Sequence, residues 1–335
     1  MTKTCTRSLL VGFSGLLSLN AVHAYADQTA LIGTVNPLTG ASSHLGKDTE
    51  NGARLAIEEI NSKGLIIHGE KVTLFLDGQD DAADPRQAVQ VAQKLVDQHV
   101  VAVVGHMNSG TSIPASKIYS DAGIVQISPS STNPAYTQQG LKTTFRNVAT
   151  DAQQGPALAN YAQRVLKSKT VAIVDDSTAY GQGLANQFEA SAKANGMKVL
   201  SRDAATDKTV DFRSILTKIK GENPDVIMYG GMDATGGPFA KQARQLAIRA
   251  HLLGGDGLCA DSLPDLAGSA AENVVCSIAG MPLQKTPNGP IFERHYEARF
   301  GQHVQLNAPF SYDAVYIIVD AMKRAKEGLN NSFSA

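Results

Sequence analysis

Short apolar runs alternate with polar loops and with stretches whose apolar residues recur every three or four positions. Residues 29–35 (TALIGTV) read as a strand, broken by Asn36-Pro37-Leu38-Thr39-Gly40. A helix is predicted over 47–63, with Ala53, Ala56, Ile57 and Ile60 on one face and Gly64 as its stop. A strand over 71–76 should run into an acidic loop at 77–81. Asp84 and Pro85 are suited to open the next helix, and Gln87 can reach back as in a capping box; Ala88, Val91, Ala92 and Leu95 would face a sheet. Strand 100–104, loop 106–111, helix 112–121, strand 123–127 and loop 128–132 follow. Beyond an extended stretch at 141–147 the pattern resumes. Strands are predicted at 170–174, 198–202, 225–229, 252–253 and 274–278. Helices are predicted at 153–166, 182–195, 212–220, 239–248, 290–299 and 311–325, with loops at 175–181, 230–237 and 254–257.

Strands alternating with helices through short connections imply α/β architecture: parallel sheets, doubly wound, covered by helices on both faces. There is enough chain for two such units, expected as lobes joined by crossover strands near 147–151 and 279–283. The expected division is a leader at 1–26, a first lobe from 27–147 and 279–335, and a second lobe from 148–278. The loops 106–111 and 128–132 would then share the carboxyl edge of one sheet, where such sheets bind ligands. Their hydroxyls and the free N–H groups at helix starts suit a carboxylate or another small anion.

Composition narrows the function. With 30 basic and 31 acidic residues, a net charge of −1 and no basic block, nucleic acid is not an expected partner. Tryptophan is absent and aromatics make up 6%, which argues against platforms for stacked bases or sugars. Lys3 and Arg7 precede an apolar run at 9–22 and two small-residue sites, Val22-His23-Ala24 and Ala24-Tyr25-Ala26, the layout of a cleaved signal peptide. The run carries Ser14, Ser18 and Asn20 and is shorter than the ~20 apolar residues of a membrane span. Cys5 precedes the run and so is not placed as a lipid-bearing mature N-terminus. Cys259 and Cys276 remain after cleavage, either bridged in an oxidising compartment or buried as thiols. Phosphate-loop, dinucleotide, Gly-x-Ser-x-Gly and His-Glu-x-x-His patterns are missing and the eight histidines are scattered, so no enzyme, cofactor or metal is expected.

A set of ordered matches gives a more specific reading. They include Gly52-Ala53 through Ile60-Asn61 with Lys63-Gly64, Asp84-Pro85, Val104-Gly105-His106, Ser109 through Pro114-Ala115-Ser116, and Ser128-Pro129 with Thr132. Asp151 with Gln154-Gly155-Pro156, Tyr180-Gly181-Gln182-Gly183-Leu184-Ala185, Tyr229-Gly230-Gly231 and Gln242-Ala243-Arg244 continue the set. Over about 29–323 the chain resembles the periplasmic leucine/isoleucine/valine-binding proteins of bacterial ABC importers. The resemblance implies two flavodoxin-like lobes, the type I periplasmic binding protein fold, and a monomer. It would capture a free amino acid in the periplasm and hand it to an inner-membrane permease.

Residue by residue, the resemblance implies that Ser109 binds the ligand carboxylate, Thr132 binds the carboxylate and touches the ammonium, and the Ser130 carbonyl accepts from the ammonium. Asp256 would be the ammonium's counter-ion, where the family's best-known members carry Glu. Leu45, Met107, Tyr180, Met232 and Phe310 would line an apolar side-chain pocket, favouring Leu, Ile or Val. Without the resemblance, Ser109 and Thr132 also read as helix caps and Asp256 as a turn residue. An amide, urea or aromatic acid as ligand, and a sensory rather than transport role, stay open. The family continues past its last helix with further strands, whereas this chain ends in a polar tail from Gly328. The C-terminal strands are therefore expected to be missing, with reduced stability, and a truncated non-functional copy is a further alternative.

Overall fold

In a computed structural model of the chain, residues 1–2 and 28–325 are described. The expected signal peptide, save its first two residues, and the polar tail lie outside the described residues. The first sheet is built from β1 (Gln28–Asn36), β2 (Leu65–Ile67), β3 (Glu70–Asp80), β4 (Ala102–Gly105), β5 (Val125–Ser128) and β6 (Thr144–Arg146). Its strand order is β2-β3-β1-β4-β5-β6, parallel except for the β2–β3 hairpin. The second sheet holds β7 (Thr170–Asp175), β8 (Lys198–Ala204), β9 (Val226–Gly230), β10 (His251–Gly254) and β11 (Val274–Cys276), in the parallel order β11-β10-β9-β7-β8. β4 and β9 are buried along their whole length, as expected of strands covered on both faces. Strand order reverses between β1 and β4 in one sheet and between β7 and β9 in the other, which opens a crevice at each carboxyl edge.

The helices are α1 (Ser43–Lys63), α2 (Pro85–Asp97), α3 (Ser109–Asp121), α4 (Asp151–Arg164), α5 (Ala179–Ala194), α6 (Arg213–Glu222), α7 (Asp233–Gln245), α8 (Leu263–Ala267), α9 (Gly289–Phe300) and α10 (Ala308–Arg324). The α1 face expected from periodicity is buried in the first core, with Ala53, Ala56, Ile57 and Ile60 packed beside Ile32 and Leu74. Asp84 caps α2 by accepting from the Arg86 and Gln87 amides, at 2.7 and 3.3 Å. Gln87 does not close a capping box; its Nε2 donates to the Asp80 carbonyl at 2.7 Å, tying α2 to the end of β3.

Several elements extend further than periodicity implies. Residues 77–80 belong to β3, α3 starts at Ser109, and most of the expected 230–237 loop is the first turn of α7. These first turns carry Ser, Gly and Thr facing a neighbouring segment or the cleft, so they show no apolar repeat. In α7 the glycines have a packing reason. A Cβ on Gly236 would stand 2.3 Å from Leu258, and one on Gly237 2.4 Å from Leu266. Close approach to the 256–258 turn and to α8 therefore outweighs the poor helix propensity of Gly-Gly-Pro.

After β11 the chain returns to the first lobe. α10 contributes Ala314, Val315, Ile318, Val319 and Met322 to the first core. The buried Asp48 of α1 accepts from the Gln305, Asn307 and Ala308 amides at 2.8–2.9 Å, which fixes the loop entering α10. The two segments passing between the lobes run side by side, with Ala149 N–H donating to the Ala279 carbonyl at 2.8 Å. Cys259 and Cys276 are disulfide-bonded, their Cα atoms 5.7 Å apart.

Candidate functional site: the cleft between the lobes

The loops at both carboxyl edges meet in the cleft. Leu45 follows β1, Met107 and Ser109 follow β4, and Ser130 follows β5. From the other lobe, Tyr180 follows β7, Met232 follows β9 and Asp256 follows β10. All seven line one cavity of about 20 Å3. Leu306 and Asn307, from the loop held by Asp48, line it as well. No periodic pattern marks those two, because a loop reaches the site only through the return of the chain to the first lobe. Two expected residues are not on the lining. Thr132 is fully buried behind it, its carbonyl accepting from the Asp151 amide at 2.9 Å. Phe310 sits at the crossover instead, its ring against Gly280 and its carbonyl accepting from Asn147 Nδ2 at 2.7 Å.

The first lobe presents donors. Ser109 is the first residue of α3, with Asn108 as N-cap, so its cap role is not realised. The first N–H groups of a helix have no intrahelical acceptor and are available to an anion. Ser109 Oγ accepts from the Asn133 amide at 3.2 Å, which leaves its own proton to donate elsewhere. Behind it the two loops are stitched by hydroxyls: Ser112 and Ser131 Oγ lie 2.6 Å apart, and Ser128 Oγ donates to the His106 carbonyl at 2.7 Å. Arg146 holds the second loop through the Ser131 and Asn133 carbonyls, at 2.6 and 2.8 Å.

The second lobe presents acceptors. Asp256 opens a short 3-10 turn and faces the cavity. Its Oδ1 accepts from Tyr180 Oη at 2.9 Å and from Gln154 Nε2 at 3.1 Å. Gln154 is pinned at its other end by Ser277 Oγ at 2.6 Å, and Tyr180 Oη accepts from the Gly257 amide at 3.0 Å. Burial pushes the Asp256 carboxyl above its usual range, opposed by these hydrogen bonds. A second carboxylate, not expected from the sequence, stands nearby. Asp151 is fully buried, and neither of its oxygens has a well-formed hydrogen bond within the protein. Burial raises its pKa to about 7; the Thr132 hydroxyl opposes the rise and the charge of Asp256 adds to it. A cation placed beside these two carboxyls would favour their charged forms.

Between the donor and acceptor ends lies an apolar cluster drawn from both lobes: Leu45, Met107 and Leu306 from the first, Met232 and Ala260 from the second. Among the described residues no cluster of three or more His, Cys, Asp or Glu is placed to hold a metal ion. A separate groove of about 490 Å3 lies beside α10, lined by Ile127, Phe145, Ile317 and other mostly apolar side chains. It lacks the convergent polar groups that define a small-molecule site, and the cleft has them.

Two doubly wound lobes with a polar constellation between their facing carboxyl edges define a two-lobed solute-binding protein. The sequence profile of the periplasmic binding protein family matches residues 29–333, and the chain belongs to that family. An amino acid binding protein of Pseudomonas aeruginosa is 40% identical over 261 residues, 78% of this chain and 68% of the relative. The Leu/Ile/Val-binding protein homolog 1 of Brucella melitensis is 34% identical over 316 residues, covering 93% and 84% of the two chains. Among solved structures, the branched-chain amino acid transporter substrate-binding protein LivJ of Streptococcus pneumoniae, in complex with isoleucine, superposes with a TM-score of 0.81. It is 29% identical, covering 90% of this chain and 85% of that one. Among the described residues no helix is long and apolar enough to cross a membrane.

Proposed function

We propose that this protein captures a free aliphatic α-amino acid, leucine, isoleucine or valine, and delivers it to the permease of an ABC importer. One observation carries the reading: donors from one lobe and the Asp256 carboxylate from the other, with Asp151 buried near it, face one another across a partly apolar cavity. A zwitterion with an apolar side chain matches each part. Ser109 and the first amides of α3 would take the carboxylate. Asp256 and Asp151 would share the ammonium with the Ser130 carbonyl, while Thr132 orients Asp151 from behind. Leu45, Met107 and Met232 would cover the side chain, and Tyr180 would hold Asp256 in place. The names of the relatives and the isoleucine bound to LivJ support the ligand class. The leader expected at 1–26 supports export to the periplasm, and the paired segments at Ala149 and Ala279 would serve as the hinge.

Thermal melts against the twenty amino acids test the proposal. A ligand at 100 times its dissociation constant adds ~2.7 kcal/mol to the folded state. A rise in midpoint confined to leucine, isoleucine and valine is the expected result. A rise with 4-methylpentanoate equal to that with leucine would show that no ammonium is recognised and overturn it.

A further inference from the structure

Beside the ligand cavity, a polar contact joins the lobes. His44 stands in the first turn of α1, in the first lobe; Asp233 opens α7, in the second. His44 Nε2 lies 3.0 Å from Asp233 Oδ2. The Asp233 side chain is fully buried, whereas that of His44 keeps 32% of its surface exposed. Ser262, just before α8, donates its hydroxyl to the same Asp233 oxygen and lies 3.3 Å from His44 Nε2. Asp233 Oδ1 has no hydrogen-bond partner among the described residues. The charged groups that bear on the imidazole are Asp233 across the cleft and, more weakly, Asp48 one turn along α1; the Ala41 carbonyl also accepts from the ring.

We propose that His44, Asp233 and Ser262 form a proton-dependent latch that holds the cleft shut. The contact exists only while the lobes are together. Parting them would return His44 and Asp233 to water, where imidazole titrates near its ordinary ~6.5. In the closed form the Asp233 carboxylate stabilises the imidazolium and raises its pKa, against the opposing effect of burial. Closing therefore takes up protons in the window that starts near the open-state value and ends at the raised one. The latch acts fully below that window and weakens as pH rises through it, because a neutral imidazole leaves the buried carboxylate without a counter-charge. His44 and Asp233 are the chain neighbours of Leu45 and Met232 but do not line the cavity themselves, so the latch would act on closure and not by touching what is bound. It rests on the two-lobed closure of the proposed function and not on the identity of the ligand.

The test compares the full chain with His44→Gln and Asp233→Asn by leucine titration calorimetry at pH 6.0 and 8.5. Ligand-free samples are measured in parallel by small-angle X-ray scattering. Asp151, raised to about 7, also titrates in this range, in the opposite sense, and cancels when variant and parent are compared at one pH. The expected result is that His44→Gln weakens leucine about tenfold at pH 6.0 and less than twofold at pH 8.5, with Asp233→Asn removing the same pH dependence. Equal weakening at both pH values, or none, would overturn the latch. If the parent binds no leucine, the amino-acid reading falls on its own. The latch is then decided by scattering: His44→Gln must enlarge the radius of gyration at pH 6.0 and not at pH 8.5, and an unchanged radius at both overturns it.

Discussion

Asp256, proposed as the ammonium's counter-ion, is held by its neighbours. Tyr180 and Gln154 both donate to Oδ1, so one edge of the carboxylate is fixed and its orientation does not depend on the ligand. Replacing Asp256 by Ala should weaken leucine about 100-fold or more, since an ammonium would then be buried without its counter-charge. Binding of 4-methylpentanoate, measured by the same titration, should change little. Gln154→Ala should weaken leucine about tenfold, the scale of one lost charge-assisted hydrogen bond. Asp151 gives a pH-dependent expectation. Its carboxyl is raised to about 7 in the folded chain, so between the unfolded value and pH 7 the folded state binds the extra proton. Stability should therefore fall as pH rises through that window, and Asp151→Asn should recover ~1–3 kcal/mol at pH 8 and almost nothing at pH 4. Urea melts at the two pH values check this, and the same variant should lose leucine affinity. Ser109, Tyr180 and Asp256 were singled out through the family resemblance, and the fold brings all three to one cavity. Asp151 stood in the sequence only as part of a matched motif at the end of a crossover, because its meaning depends on facing Asp256, 105 positions away in sequence.

At the scale of elements, two contacts decide how firmly the site is held. The Cys259–Cys276 bridge ties the turn carrying Asp256 to the end of β11, next to Ser277 of the Gln154 relay. Reduction should cost ~3 kcal/mol in the chain-entropy description. It should also weaken leucine, read as a lower melting midpoint and a smaller ligand-induced rise. Gly52 lets α1 meet the start of α10: a Cβ there would lie 2.1 Å from the Ala308 carbonyl oxygen. Gly52→Ala is expected to cost ~1–3 kcal/mol through overpacking, visible as a lower urea midpoint. Periodicity located the central strands and most helices, since burial against a sheet writes an apolar repeat into the helix. It missed β2, a three-residue hairpin strand, and α8, a five-residue helix, because neither is long enough to show a period. It also placed the starts of α3, α5 and α7 too late, where the first turn faces the cleft or a neighbouring loop.

For the whole molecule, the cavity of about 20 Å3 has room for little more than one water, so an aliphatic side chain can enter only when the lobes part. Met107 and Met232, unbranched and adaptable, are the side chains suited to move aside and repack around it. The order of elements, the parallel sheets and the placing of functional loops at carboxyl edges were all determined by the sequence alone. Each follows from local periodicity and from the geometry of strand–helix–strand connections, which any segment carries in itself. Only the tertiary structure decided which residues face one another across the cleft: Asp151 near Asp256, Leu306 beside Met107, His44 against Asp233. Those pairings depend on how two separately folded lobes are set together and on a chain that returns to the first lobe, and no local pattern records them.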